Sequence, residues 1–266
     1  MLPGMRLKDK VIIVTGSTQG IGEAIARRAV REGARVLIHG LEPELGEKVV
    51  ADLGDAAVLQ IDDLADPAVP ARLVEKAVNT FGTLDCIVNN AAWVARSDLA
   101  STDANMFDRV MAINARAPML LIQAGLKHLE ASKGCVLNIG SVNAWSGEPS
   151  LLAYSMSKGA LMTMTRNLGD VLHVEHGVRV NQVNPEWVLT ANESKMQVEM
   201  GNPPDWYERV PRYFAPCGTL IMPEDIANAA VYWMGDESRP MSGTVLELAQ
   251  YPLLGRNPPK DIFGDG

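Results

Sequence analysis

The chain is poor in cysteine, in positive charge and in long apolar runs. Only Cys86, Cys135 and Cys217 occur among 266 residues. An odd, sparse set without CxxC spacing excludes a disulfide scaffold and a thiolate zinc site. Buried or inert thiols are expected instead. Lys and Arg number 24 against 32 Asp and Glu, a net charge of −8. That balance leaves no basic footprint for nucleic acid and no polybasic patch for a membrane surface. No apolar run approaches the roughly 18 residues of a bilayer span. The opening stretch MLPGMRLKDK lacks the apolar core of a secretory signal. The expectation is a cytoplasmic protein with a small-molecule substrate and no nucleic acid, membrane or metal partner.

What is present is ordinary globular usage: 47% hydrophobic and 21% charged residues, with 23 Gly and 16 Pro. The length suits one large α/β domain over residues 1–266 better than two small ones. Short apolar runs alternate with longer amphipathic stretches. Strands are expected at Val11–Val14, Arg35–Ile38, about 56–61, about 84–88, about 135–139, about 178–183 and Thr244–Leu248. Helices are expected at 20–33, about 43–53, about 67–81, about 104–130, about 151–175 and from Pro223 to about Met234. Near-continuous apolar strands separated by helices predict a doubly wound parallel sheet with helices on both faces. Ligands of such sheets bind beyond the C-terminal strand ends. Residues 185–217 carry five prolines and two tryptophans and are expected to form a lid of short helices and loops. Residues from about 255 to 266 are expected to be a surface tail.

Two segments carry chemistry. Val11–Thr15 runs into Gly16-Ser17-Thr18-Gln19-Gly20-Ile21-Gly22 and then into a helix. Gly16 allows a tight strand exit, Gly20 a close backbone approach to pyrophosphate, and Gly22 close packing of helix on strand. The helix N-terminus adds free N–H groups and positive potential for an anion. Taken alone, the glycines also suit a merely structural turn. The second segment is Tyr154-Ser155-Met156-Ser157-Lys158, which places phenol and amine on one helix face. An ammonium beside a phenol lowers its pKa towards working pH, so the pair could exchange a proton with an alcohol or carbonyl. Alone, it reads equally as an exposed helical pair. Ser141 follows the fifth strand at its ligand-binding end, where a hydroxyl could hold a substrate oxygen or simply shape a turn.

Together these residues resemble the short-chain dehydrogenase/reductase family. The matching pieces are Thr15–Gly22, Asp63, Asn89-Asn90-Ala91-Ala92, Asn114, Ser141, Tyr154 and Lys158, in family order and spacing over about residues 5–250. The resemblance implies a Rossmann-type fold, a nicotinamide dinucleotide and a homotetramer or homodimer. It implies catalytic roles for Asn114 (a proton-relay water), Ser141 (the substrate oxygen), Tyr154 (acid–base) and Lys158 (tyrosine pKa and nicotinamide ribose). Cofactor contacts are implied at Gly16, Thr18, Gln19, Gly20, Ile21, Gly22, Gly40, Leu41, Asp63, Leu64, Asn90, Ala91, Tyr154, Lys158, Pro185, Val188 and Thr190. Asn89 would support the sheet beside the cofactor.

The chain also departs from the family. Glu186 stands where the family usually has glycine, and it either points into the site to accept substrate hydroxyls or faces solvent with mild backbone strain. Glu247-Leu248-Ala249-Gln250 replaces the common Asp-Gly-Gly ending. Neither usual cofactor-selecting signature appears in His39-Gly40-Leu41-Glu42. Glu42 opposes a 2′-phosphate, which favours NAD, whereas a protonated His39 would admit NADP. Substrate candidates are Ser141, Asn143, Trp145, Glu186, Trp187 and Trp93, with Arg96, Glu148 and Trp206 beside them. Aromatic faces next to polar groups suit a sugar, polyol or other small hydroxylated molecule; several of the tryptophans read equally as core. A 3-oxoacyl thioester reductase is the second reading. A non-catalytic dinucleotide-binding protein on the same fold is the third.

Overall fold

The computed structural model describes residues 5–252, so the expected tail lies outside the described residues. Seven strands form one sheet: β1 (Val11–Val14), β2 (Arg35–Gly40), β3 (Ala57–Ile61), β4 (Cys86–Asn89), β5 (Cys135–Ile139), β6 (Arg179–Pro185) and β7 (Val245–Leu248). All neighbours pair in parallel, in the order β3-β2-β1-β4-β5-β6-β7. The helices are α1 (Gly20–Arg31), α2 (Pro43–Leu53), α3 (Val69–Phe81), α4 (Ala104–Met111), α5 (Ala117–Ser132), α6 (Asn143–Ser146), α7 (Leu152–His176), α8 (Ala191–Glu199) and α9 (Pro223–Met234).

Strand side chains alternate between faces, and both faces are dry. Ile12 and Val14 pack with Ile25, Ala29 and Val231 under α1 and α9. Ile13 and Leu37 pack with Leu73, Leu121 and Val180 under α3, α5 and α7. This is why the strands read as continuous apolar runs. One detail differs from expectation. The stretch predicted as one helix over about 104–130 is α4 and α5 joined through a π-helical turn, Ala112–Arg116, which carries Asn114. Such turns recur at functional sites. The segment 185–217 contains α8 and a 3₁₀ turn at Trp206–Arg209.

Strand order reverses between β1 and β4. Loops on the two sides of that point diverge and leave a crevice at the C-terminal strand ends. Among the described residues no helix is long and apolar enough to cross a membrane.

Candidate active site

The crevice at the reversal point measures about 440 Å³. Of the expected cofactor positions, Gly16, Thr18, Gln19, Gly20, Ile21, Gly40, Leu41, Asp63, Leu64, Asn90, Ala91 and Thr190 line it. Gly22, Tyr154, Lys158, Pro185 and Val188 are not among its lining residues.

The glycine turn fits a pyrophosphate. Gly16 has φ +63°, a left-handed conformation that glycine adopts without penalty. Gly22 has an ordinary φ but no room: a Cβ there would overlap the Gly16 carbonyl oxygen and crowd Asn90. Asn90 braces the turn by donating to the Thr15 and Gly16 carbonyls (2.9 and 3.0 Å). The first turn of α1 has no side-chain cap, which leaves N–H groups free for an anion. Gly22→Ala is expected to cost about 1–3 kcal/mol and to weaken dinucleotide binding in parallel. Chemical unfolding and a cofactor titration check both; an unchanged midpoint and affinity would contradict the packing.

His39 does not serve as a phosphate-binding cation. Its Nδ1 accepts from Gly16 N–H (3.4 Å) and its Nε2 lies 3.1 Å from the Asp62 carbonyl, so one proton on Nε2 satisfies both. Burial pushes its pKa down to about 4. It is a neutral clasp between the phosphate turn and the end of β3. Glu42 instead reaches into the crevice region, accepting from the Thr18 hydroxyl (2.8 Å) and Gln19 Nε2 (3.2 Å). Asp63, expected against adenine, is held by Ala65 N–H (2.9 Å) and Arg109 (2.8 Å), and both contacts keep its carboxyl below the usual range. Arg109, Asp62, Ile113 and Asn192 also line the crevice, although sequence reasoning did not find them. Arg109 sits 5.6 Å over the Trp93 ring. No local motif marks it, because α4 meets Asp63 only in the folded chain.

The residues expected to transfer the proton come together on α7 and the end of β5. Ser141 is 8% exposed, and its hydroxyl hydrogen-bonds the Tyr154 hydroxyl. Lys158 is 3% exposed, lies 5.6 Å from the Tyr154 ring centre and donates to the Ile139 carbonyl (2.7 Å). Burial pushes Tyr154 up to about 12, against the lowering by Ser141, with the Glu148 carboxylate adding to the rise. Burial lowers Lys158 to about 8. The sequence expectation that the amine depresses the phenol is not met in this structure: burial dominates the shift, and the lowering comes from the Ser141 hydroxyl. Asn114 is locked in place. Its Oδ1 accepts from Trp93 N–H (2.8 Å), and its Nδ2 donates to the Trp93 carbonyl (3.1 Å) and the Ser157 hydroxyl (3.0 Å).

The substrate candidates divide. Asn143 Nδ2 donates to Glu148 (3.3 Å), and Arg96 lies 3.8 Å from the same carboxylate, so a polar rim borders Ser141. Trp145 is half-exposed beneath Arg166 (4.9 Å). Trp187 turns inward. It stacks on Trp206 (5.1 Å), meets Phe214 edge-on, and donates its indole N–H to Glu193 (2.9 Å). Segment 185–217 thus holds a small aromatic core of its own. Glu186 does neither of the two things expected of it. Its carboxylate accepts from Gln250 N–H (3.0 Å), tying β6 to the segment after β7, and its φ is not left-handed.

Comparisons with known proteins agree with this fold. A family model of short-chain dehydrogenases/reductases, described as enoyl-(acyl carrier protein) reductase, matches residues 16–248. The chain is similar to 2-(S)-hydroxypropyl-CoM dehydrogenase 3 of Xanthobacter autotrophicus, 34% identical over 91% of this chain and 96% of that one. It is also similar to the NADP-dependent (R)-specific alcohol dehydrogenase of Lentilactobacillus kefiri, 32% identical over 90% and 94% of the two chains. In fold it resembles the solved 3-ketoacyl-(acyl-carrier-protein) reductase from Brucella melitensis complexed with NADH. That match has a TM-score of 0.81 at 27% identity and covers 91% and 97% of the two chains.

Proposed function

Because the chain belongs to the short-chain dehydrogenase/reductase family, we propose that it interconverts a small, polar secondary alcohol, such as a sugar or polyol, with its ketone. It is a nicotinamide-dinucleotide-dependent oxidoreductase of CH–OH groups. The observation that carries the finer reading is the Ser141–Tyr154 hydroxyl pair beside buried Lys158, bordered by Asn143, Glu148 and Arg96. A dinucleotide held by the glycine turn, Asn90 and Thr190 supplies the hydride acceptor or donor. Tyr154 exchanges the proton at the substrate oxygen, and Ser141 orients that oxygen by hydrogen bonding. Lys158 supplies positive charge beside the phenol and a donor towards the nicotinamide ribose. Asn114, fixed between Trp93 and Ser157, shapes the path by which the proton leaves.

NAD is the preferred cofactor in this reading. The crevice lining contains the carboxylates of Glu42, Asp62 and Asp63 against one cation, Arg109, which is already paired with Asp63. A 2′-phosphate would bring further negative charge against that wall. Glu42→Gln is expected to raise the NADP-to-NAD ratio of kcat/KM by about tenfold. An unchanged ratio, or a wild-type enzyme that prefers NADP, would refute the assignment. The acidic chain with free cysteines suits the cytoplasm. The exposed Met156, Val171 and Val174 along α7 suit a homotetramer or homodimer.

A panel of polyols, sugars, simple secondary alcohols and 3-oxoacyl thioesters, followed at the reduced-nicotinamide absorbance, tests the substrate class. Turnover confined to thioesters would favour the acyl reductase reading. Dinucleotide binding without turnover on any compound would favour a non-catalytic protein.

A further inference from the structure

Five buried polar side chains link the middle strands of the sheet to α7. Asn89 on β4, Asn138 on β5, Thr165 on α7, and Gln182 and Asn184 on β6 are each 3% exposed or less. They form one hydrogen-bonded chain with one direction. Asn89 Nδ2 donates to Asn138 Oδ1 (2.8 Å), and Asn138 Nδ2 donates to the Thr165 hydroxyl (2.8 Å). That hydroxyl donates to Gln182 Oε1 (2.8 Å), with the Leu161 carbonyl as its alternative acceptor (2.9 Å). Gln182 Nε2 then donates to Asn184 Oδ1 (2.7 Å). Strands buried on both faces ordinarily carry Val, Ile or Leu at such positions. Buried amides stabilise a fold only when paired, and they restrict it to one arrangement.

The far end of this chain lies against the segment that carries Ser141. Gly140 N–H donates to the Val183 carbonyl (2.8 Å) and Val142 N–H to the Pro185 carbonyl (3.1 Å), so Asn184 stands between the two contacts that hold Ser141. A Cβ on Gly140 would overlap Asn184 Oδ1 and Gln182 Nε2. Thr165 is the chain's one helical member and shares α7 with Tyr154 and Lys158.

We propose that Asn138, Thr165, Gln182 and Asn184 are positioning residues: they lock α7, which carries Tyr154, to the β5 end that carries Ser141. The inference rests on the roles assigned to those two hydroxyls above. Apolar packing has no direction of its own. Hydrogen bonds are confined to narrow distances and angles. A displacement of about 1 Å at reacting groups lowers rates by roughly 10²-fold.

Thr165→Val replaces the hydroxyl by a methyl of similar size and cuts the chain at the helix. It is expected to lower kcat about tenfold with the cofactor KM held within about twofold, and Thr165→Ser is expected to restore kcat. Gln182→Leu interrupts the chain from the strand side and should reproduce the effect, which keeps the test decisive if the valine variant folds poorly. Val231→Ala, on the opposite face of the sheet, serves as the control for lost stability. If Val231→Ala and Thr165→Val lose similar melting temperature yet keep similar kcat, or if Thr165→Ser fails to rescue, the positioning role is overturned. A fully active Thr165→Val beside an inactive Tyr154→Phe removes only this inference. An active Tyr154→Phe removes the assignment beneath it.

Discussion

Phenylalanine in place of Tyr154 is expected to lower kcat on the order of 10³-fold while the dinucleotide still binds. The substitution deletes one oxygen and leaves the ring packed, so its effect isolates proton transfer. Binding should survive because no atom of Tyr154 lines the crevice of the glycine turn. The pH profile follows from the same hydroxyl. Burial raises it to about 12, so near neutral pH it is protonated, the form that donates to a carbonyl oxygen. Alcohol oxidation needs the deprotonated form and is expected to rise with pH, while carbonyl reduction is expected to stay nearly level up to about pH 11. Initial rates in both directions across pH 6–11 test this, and a flat oxidation profile or near-normal turnover in the variant would end the acid–base role.

Methionine in place of Lys158 is expected to lower kcat on the order of 10²-fold and yet stabilise the protein. The ammonium is buried, and its pKa falls from 10.5 to about 8. Between those values the unfolded chain holds a proton that the folded chain has released. Stability from this group therefore rises with pH across about 8 to 10.5 and is lowest below that window. Removing the charge relieves the penalty at pH 7, while the Ile139 carbonyl loses its donor. The net gain is expected at about 1–3 kcal/mol, or a melting temperature raised by roughly 2–10 °C. The variant should also lose this group's pH-dependent rise. A less stable methionine variant would show that the amine is better compensated than its surroundings indicate.

Much of the architecture was legible because its signals are local. Burial on both faces made β1, β2, β4 and β5 largely apolar runs, and the glycine turn sits where a strand must exit tightly into a helix. Tyr154 and Lys158 share a face by helical spacing alone, and Ser141 is placed by following a strand. Other features carried no such mark. Trp187 reads as a substrate wall until Trp206 and Phe214 fold over it. Glu186 reads as a site residue until its acceptor is used by Gln250, which lies far along the chain. His39 reads as a possible cation until burial between Gly16 and Asp62 makes it neutral. The polar positions Asn138 and Gln182 stand inside buried strands, and their partners lie on other elements.

By itself the amino-acid order determined the alternation of strand and helix, the glycine turn and the placement of Tyr154 and Lys158 on one helix face. These depend on backbone conformation and on neighbours within a few residues. Only the tertiary structure decided the protonation states, the partners of Arg109 and Glu186, and the amide chain beneath Ser141. Each of those depends on desolvation and on contacts between strands and helices distant in sequence, which no local pattern encodes.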